Sequence, residues 1–219
     1  MQDLVHPATL RRAVVAALAT TLLCLPRLWS WESRPTFITG LVTVLAVCTF
    51  VLWGFVFAWS PPSVRPVLRL RREAFPWALA TVGGLLGAGL LAGWIDPTLR
   101  DLRPEDYARS LNHWVAHWLF TVAMAQLFLC FAPFAFFYRL FHSLPAAVTA
   151  TVLFGVFLLG LQLQQAEPMG LAFQAFLLGV RVLWGTFAVL LFVRGGPWPV
   201  WWWATLLQAR ELPLLLASG

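Results

Sequence analysis

The chain has 219 residues, 60% of them hydrophobic and only 11% charged, with a mean hydropathy of +0.78. A water-soluble domain of this size carries about 25% charged residues, so too little polar surface remains to cover a soluble globule; the length suits one helical bundle and no separate soluble domain. The formal charge of +6 comes from arginines alone, spread over the connections with no lysine, which reads as topology signals and lipid-headgroup contacts and excludes a nucleic-acid surface.

A helix needs about 20 apolar residues to cross a bilayer, because backbone groups in hydrocarbon must bond internally. The first such stretch is Ala13–Trp29, preceded by Arg11 and Arg12. It resembles a secretory leader, but Pro26, Arg27 and Trp29 stand where a small-residue cleavage site belongs, so a retained first helix is expected. The second is Phe37–Trp59. The third, Trp77–Ile95, has Gly83 with Gly87 and Gly89 with Gly93 at a spacing that lets helices approach closely. His113–Phe137, Ala146–Leu163, Gly170–Val193 and Val200–Ala217 complete an expected all-α, polytopic bundle of about seven spans.

Between the second and third stretches, the loop 60–75 holds Arg65, Arg69, Arg71 and Arg72 against Glu73. Positive loops stay cytoplasmic, which sets the N-terminus inside and the C-terminus outside, in what is expected to be a bacterial inner (plasma) membrane. Arg139 and Arg194 agree with that orientation, and Arg27 and Arg34 do not. Asp96 to Asn112 is then an outer loop. Most of the tryptophans, Trp29, Trp94 and Trp118 among them, stand near expected helix ends and read as an interfacial belt. Cys24, Cys48 and Cys130 lie in apolar runs and read as small buried hydrophobes.

Polar groups inside spans are costly and each needs a reason. They are His113, His117, Gln126, Gln162, Gln164, Gln174, Arg181 and Gln208. His113 and His117 share a helix face; the spacing allows a cofactor ligand such as haem or chlorophyll, but no third ligand stands nearby in sequence, and an interfacial pair is favoured. Arg181, near the middle of the sixth stretch, has no carboxylate at its depth. Its partners are to be sought among glutamines, main-chain carbonyls or another protein. The acids, including Asp96, Glu167 and Glu211, all fall in loops or at helix ends, so the deep bundle offers no group to activate water.

In the last part of the chain, Ala125-Gln126-Leu127-Phe128-Leu129-Cys130 leads through Pro133 to Arg139. Leu153-Phe154-Gly155-Val156-Phe157-Leu158 follows, then Phe176-Leu177-Leu178-Gly179, Arg194-Gly195-Gly196-Pro197-Trp198, and Trp203-Ala204 on to Gln208. In layout this resembles the CAAX-protease and bacteriocin-processing (CPBP) family of intramembrane proteases. That family has a Glu-Glu-x-x-x-Arg helix, a Phe-x-x-x-His helix, a glycine-rich helix ending in an Arg/Gly-x-x-Trp turn, and a His-x-x-x-Asn/Asp helix. The resemblance implies a four-helix core over 113–219, after about three helices in 1–112. The framework residues agree and the chemical ones do not. Ala125 and Gln126 replace the paired glutamates and Cys130 the arginine; Leu158 and Ala204 replace the histidines, with Gln208 in the Asn/Asp place.

The resemblance therefore implies the family fold without its activity: a non-catalytic scaffold, assembly or accessory subunit of a membrane complex, with no catalytic residue and no metal. Gln126, Arg181 and Gln208 would form a polar core or grip a partner or lipid. A divergent protease using His113, His117 or Glu167 is the alternative; a haem or chlorophyll protein is a weaker one.

Overall fold

The computed structural model describes residues 6–31, 34–59, 67–68, 73–102, 104, 107–164 and 170–217, without the side chains of residues 31, 59 and 217. No strand occurs among them. Helix α1 is Pro7–Trp31 and α2 is Pro35–Trp59. Helix α3 runs over Ala74–Leu102 and α4 over Leu111–Phe141. Helix α5 is Leu144–Gln164, α6 Leu171–Gly195, α7 Pro197–Ala209 and α8 Leu212–Ala217. The first six are each long and apolar enough to cross a membrane, and the 13-residue α7 is not among them. The chain is an all-α integral membrane protein.

Helix α4 is the axis of the bundle. It packs against α1 and α2 on one side and against α5, α6 and α7 on the other. Phe131 and Phe134, both fully buried on α4, meet Phe192 of α6, with ring centroids 4.6 and 5.9 Å away. The same core takes in Ala13 of α1, Val56 of α2 and Trp203 of α7. Outward-facing Leu22, Val47, Leu86, Phe157 and Leu183 are largely exposed all round, as a lipid solvent permits. Helices α1 and α2 are tied by polar groups as well: Trp53 Nε1 donates to Thr20 Oγ1 at 2.9 Å, and the Thr21 and Thr49 hydroxyls lie 3.4 Å apart.

Prolines explain where the helices widen. A proline inside a helix clashes with the carbonyl four residues before it. Pro97 and Pro133 each follow a π-helical stretch, Leu91–Ile95 in α3 and Leu127–Phe131 in α4. The carbonyls in question, of Gly93 and Leu129, fall within those stretches, and the wider turn absorbs the clash without ending the helix. A further π stretch, Thr121–Ala125, precedes Gln126. The turn from α6 to α7 uses Gly196 at φ +78°, a conformation open to glycine.

The glycines of α3 divide into two groups. A Cβ on Gly83 would meet the Phe187 ring at 2.4 Å, and one on Gly84 would meet Leu206 Cβ at 2.8 Å. One on Gly87 would meet Leu207 Cδ2 at 2.8 Å. Gly83 and Gly87 therefore close α3 onto α6 and α7 within the bundle, whereas Gly89 and Gly93 have nothing within 4 Å.

Four sequence expectations need correction. Cys24 and Cys130 are buried, but Cys48 is exposed on α2. Asp96 is not in an outer loop: α3 continues through it to Leu102, and it is only 4% exposed. The run Val200–Ala217 is not one helix, because Arg210 and Glu211 form a turn where polar partners from α3 draw the chain aside. The tryptophans are not only a belt. Trp29 and Trp94 are exposed, but Trp53 and Trp203 are buried, and Trp202 Nε1 bonds Thr81 Oγ1 across helices at 2.9 Å. The arginines of the basic loop and Glu167 lie outside the described residues.

Candidate functional site

The site is assembled where α3, α4 and α7 end together. Ser110 caps α4, its hydroxyl accepting from the His113 amide at 3.3 Å. One turn on, Trp114 and Trp118 stack 5.7 Å apart. Trp114 Nε1 donates to the Gln208 carbonyl at 2.9 Å, and Trp118 Nε1 donates to Thr205 Oγ1 at 3.0 Å. These two bonds fix the register of α4 against α7. The neighbouring face then carries the histidines: His113 Nε2 meets Arg27 Nη1 of α1, and His117 sits one turn deeper.

Across from them, Arg210 clamps α7 to α3. Its Nε donates to Asp96 Oδ2 at 2.8 Å and its Nη2 to Asp96 Oδ1 at 3.2 Å, while Nη1 donates to the Leu207 carbonyl at 2.6 Å. Tyr107 adds a third bond to Asp96, its hydroxyl donating to Oδ1 at 3.0 Å. Burial, and then the Asp96 charge, pushes the Tyr107 hydroxyl far above its ordinary range, so it stays a donor. The guanidinium of Arg100 lies 4.8 Å over the Tyr107 ring. Glu211, buried in the turn after α7, is 3.5 Å from Arg210 Nη2. Burial pushes its carboxyl above the usual range, against the pull of Arg210.

These groups surround a cavity of about 430 Å³, lined by Arg27, Tyr107, His117, Arg181, Gln208 and Glu211 with apolar residues between them. Three polar atoms on its wall are buried and have no hydrogen-bond partner among the described residues: His117 Nδ1, Gln208 Oε1 and Glu211 Oε2. A buried orphan of this kind costs about 1–3 kcal/mol, and three at one cavity mark a place where something polar belongs.

A second cavity, of about 460 Å³, lies in the cleft between α4 and α5 and is lined by Met124, Ala125, Phe128, Leu158, Gln162 and Arg181 among others. Arg181 and Leu159 border both cavities. Room for the guanidinium comes from Gly155 of α5: a Cβ there would stand 2.9 Å from Arg181 Nη2 and 3.0 Å from its Nε. Neither a hydrogen bond nor an ion pair reaches Arg181 from any described residue.

The structure brings Arg181 and Gln208 to one cavity, but leaves Gln126 half-buried and lining neither. Of the positions carrying the protease resemblance, Ala125 and Leu158 line the second cavity and Gln208 the first. Cys130 and Ala204 are buried in the packed core. His113 and His117 are on one face, yet His113 is engaged with Arg27. No group of three or more metal-binding side chains occurs among the described residues. Sequence reasoning missed Asp96, Tyr107, Arg210 and Glu211. The visible signal was Arg210-Glu211 interrupting an otherwise apolar run, which forces a turn or a buried partner.

It had also set His117 and Glu211 at separate helix ends. They border the same cavity, because α7 ends at Ala209 and its Gln208 carbonyl is bonded to Trp114 in the first turn of α4. Compared with known proteins, the chain matches no family model, no curated protein and no solved structure.

Proposed function

We propose that this chain is a non-catalytic member of the CPBP-like membrane proteins, acting as a scaffold, assembly factor or accessory subunit in a bacterial inner membrane with its N-terminus in the cytoplasm. One observation carries the reading. Among the described residues, the cleft bordered by Ala125 and Leu158, where the family would place a glutamate and a histidine, is lined by no carboxylate and no imidazole, and Arg181 is a charged group on its wall. An arginine holds and orients but does not take a proton from water at neutral pH. Such a cleft is suited to binding. The experiment is purification at low expression in mild detergent, followed by sizing and identification of what travels with the chain. A stable complex with other membrane subunits is the expected result; a chain always alone and monomeric overturns the reading.

A second reading, a divergent intramembrane peptidase, gains support from the other cavity. His117 and Glu211 border it together, each with an unpartnered buried atom, and a histidine with a carboxylate is a pair able to activate water. Among the groups considered from sequence, His113 is tied to Arg27. His117→Gln and Glu211→Gln, assayed on a labelled membrane peptide, decide between the two: loss of turnover by at least about a hundredfold supports the peptidase, and unchanged turnover or none in the unaltered protein ends it.

A further inference from the structure

Arg181 poses a question that the packing of the chain does not answer. It lies near the middle of α6, a helix that crosses the membrane, where an uncompensated charge is expensive. Another largely buried arginine, Arg210 at the end of α7, is supplied with Asp96, a main-chain carbonyl and a nearby glutamate. Arg181 receives none of these from the described residues. Instead, Gly155 clears a space beside its guanidinium, and a cavity opens on either side of it.

The two sides differ in character. Toward α4 and α5 the cleft is lined by apolar residues apart from Gln162 and Arg181, and Phe128 and Leu161 on it are 38% and 41% exposed. A hydrocarbon chain enters there from the bilayer without crossing water. Toward the helix ends the wall is polar, and Gln208 Oε1 and Glu211 Oε2 are acceptors with no donor. A bare anion would leave those two acceptors empty. An anionic head that also carries hydroxyl groups satisfies the guanidinium and the acceptors at once. The widened turns of both helices, Leu91–Ile95 and Thr121–Ala125, contribute Leu91, Met124 and Ala125 to the cavity walls, and such π stretches gather at binding sites.

We propose that the two cavities that share Arg181 and Leu159 bind an anionic lipid of the phosphoglycerol type. Its phosphate rests on the Arg181 guanidinium, its head-group hydroxyls donate to Gln208 and Glu211, and one acyl chain lies in the cleft between α4 and α5. This goes beyond the accessory-subunit reading and is tested on the isolated protein, with no partner present.

The test is native mass spectrometry of the full chain released from phosphatidylcholine nanodiscs, each doped with phosphatidylglycerol, phosphatidic acid or uncharged diacylglycerol. Phosphatidylglycerol is expected to be retained at least about tenfold over diacylglycerol and phosphatidylcholine, a difference of about 1.4 kcal/mol. Arg181→Gln should remove that preference, Arg181→Lys should keep part of it, and Gly155→Leu should abolish retention by filling the cleft. Retention of phosphatidylglycerol no better than diacylglycerol, or a preference unchanged in Arg181→Gln, overturns the proposal. Phosphatidic acid held as tightly as phosphatidylglycerol overturns the hydroxyl contacts, which Gln208→Leu tests directly. To separate ligand binding from folding, thermal unfolding of the lipid-stripped protein is compared with that of Arg181→Met. A variant at least as stable as the unaltered chain agrees with a site waiting for its anion; a clearly lower melting temperature makes Arg181 a structural anchor and overturns the proposal. A chain that keeps its protein partners but shows no charged-lipid preference ends this inference and leaves the accessory-subunit reading standing; a charged-lipid preference without partners does the reverse.

Discussion

Arg210 and Arg181 are the same side chain in opposite circumstances. Arg210, 12% exposed at its side chain, is held by both oxygens of Asp96 and by the Leu207 carbonyl, and the Tyr107 hydroxyl completes the carboxylate. Arg181 stands between two cavities against a glycine, with no bond from the described residues. The first is a finished structural joint: each charge offsets the desolvation of the other, and the pair fixes how α7 meets α3. The second is a charge whose compensation the described chain does not supply. The difference between the two arginines lies in the partners, not in the residue type.

The largest test of that contrast is Asp96→Ala. It leaves Arg210 buried without its acid, and a loss of about 3–5 kcal/mol is expected in chemical or thermal unfolding in detergent. Replacing both members, Asp96→Leu with Arg210→Met, should restore most of it. A cost of under about 1 kcal/mol for Asp96→Ala would erase the distinction, since a surface-like pair behaves so.

The glycines that accompany each arginine sharpen the comparison next. Gly84→Val drives a side chain into Leu206 Cβ on the closed seam between α3 and α7 and should cost about 1–3 kcal/mol by overpacking. Gly155→Ala meets the movable tip of Arg181 and should change stability by no more than about 0.5 kcal/mol. Equal costs would mean that the cleft is as tightly packed as the seam. Tyr107→Phe removes one donor from a charged acceptor; a loss of about 1.5 kcal/mol, inside the range set by Gly84→Val, is expected from the same unfolding measurement. Last, Gly89→Ala touches nothing within 4 Å and should stabilise α3 by about 0.5–1 kcal/mol, because alanine has less backbone freedom to lose than glycine.

Much of the fold was legible because a bilayer imposes long apolar stretches. The second, fifth and sixth helices fall within two residues of their expected limits, Pro35–Trp59, Leu144–Gln164 and Leu171–Gly195. The third was cut short at Ile95 since Asp96-Pro97 looks like a stop in sequence; the π turn before Pro97 lets the helix continue. Gly83 and Gly87 announced close packing but not its partner, because spacing on one helix is silent about which neighbour fills it. Of the site, Arg181 and Gln208 were visible as polar residues in apolar runs. Asp96, Tyr107 and Glu211 were not, since each was read from its local surroundings, where loops and helix ends look solvated.

Composition and hydropathy by themselves determined that the chain lives in lipid as an all-α bundle, because one-dimensional apolar length is the property a membrane selects. Only the tertiary structure decided which polar residues compensate one another. Charges in a low-dielectric bundle act over a few ångströms, and residues 96 and 210 become neighbours only when helices far apart in sequence end at the same level.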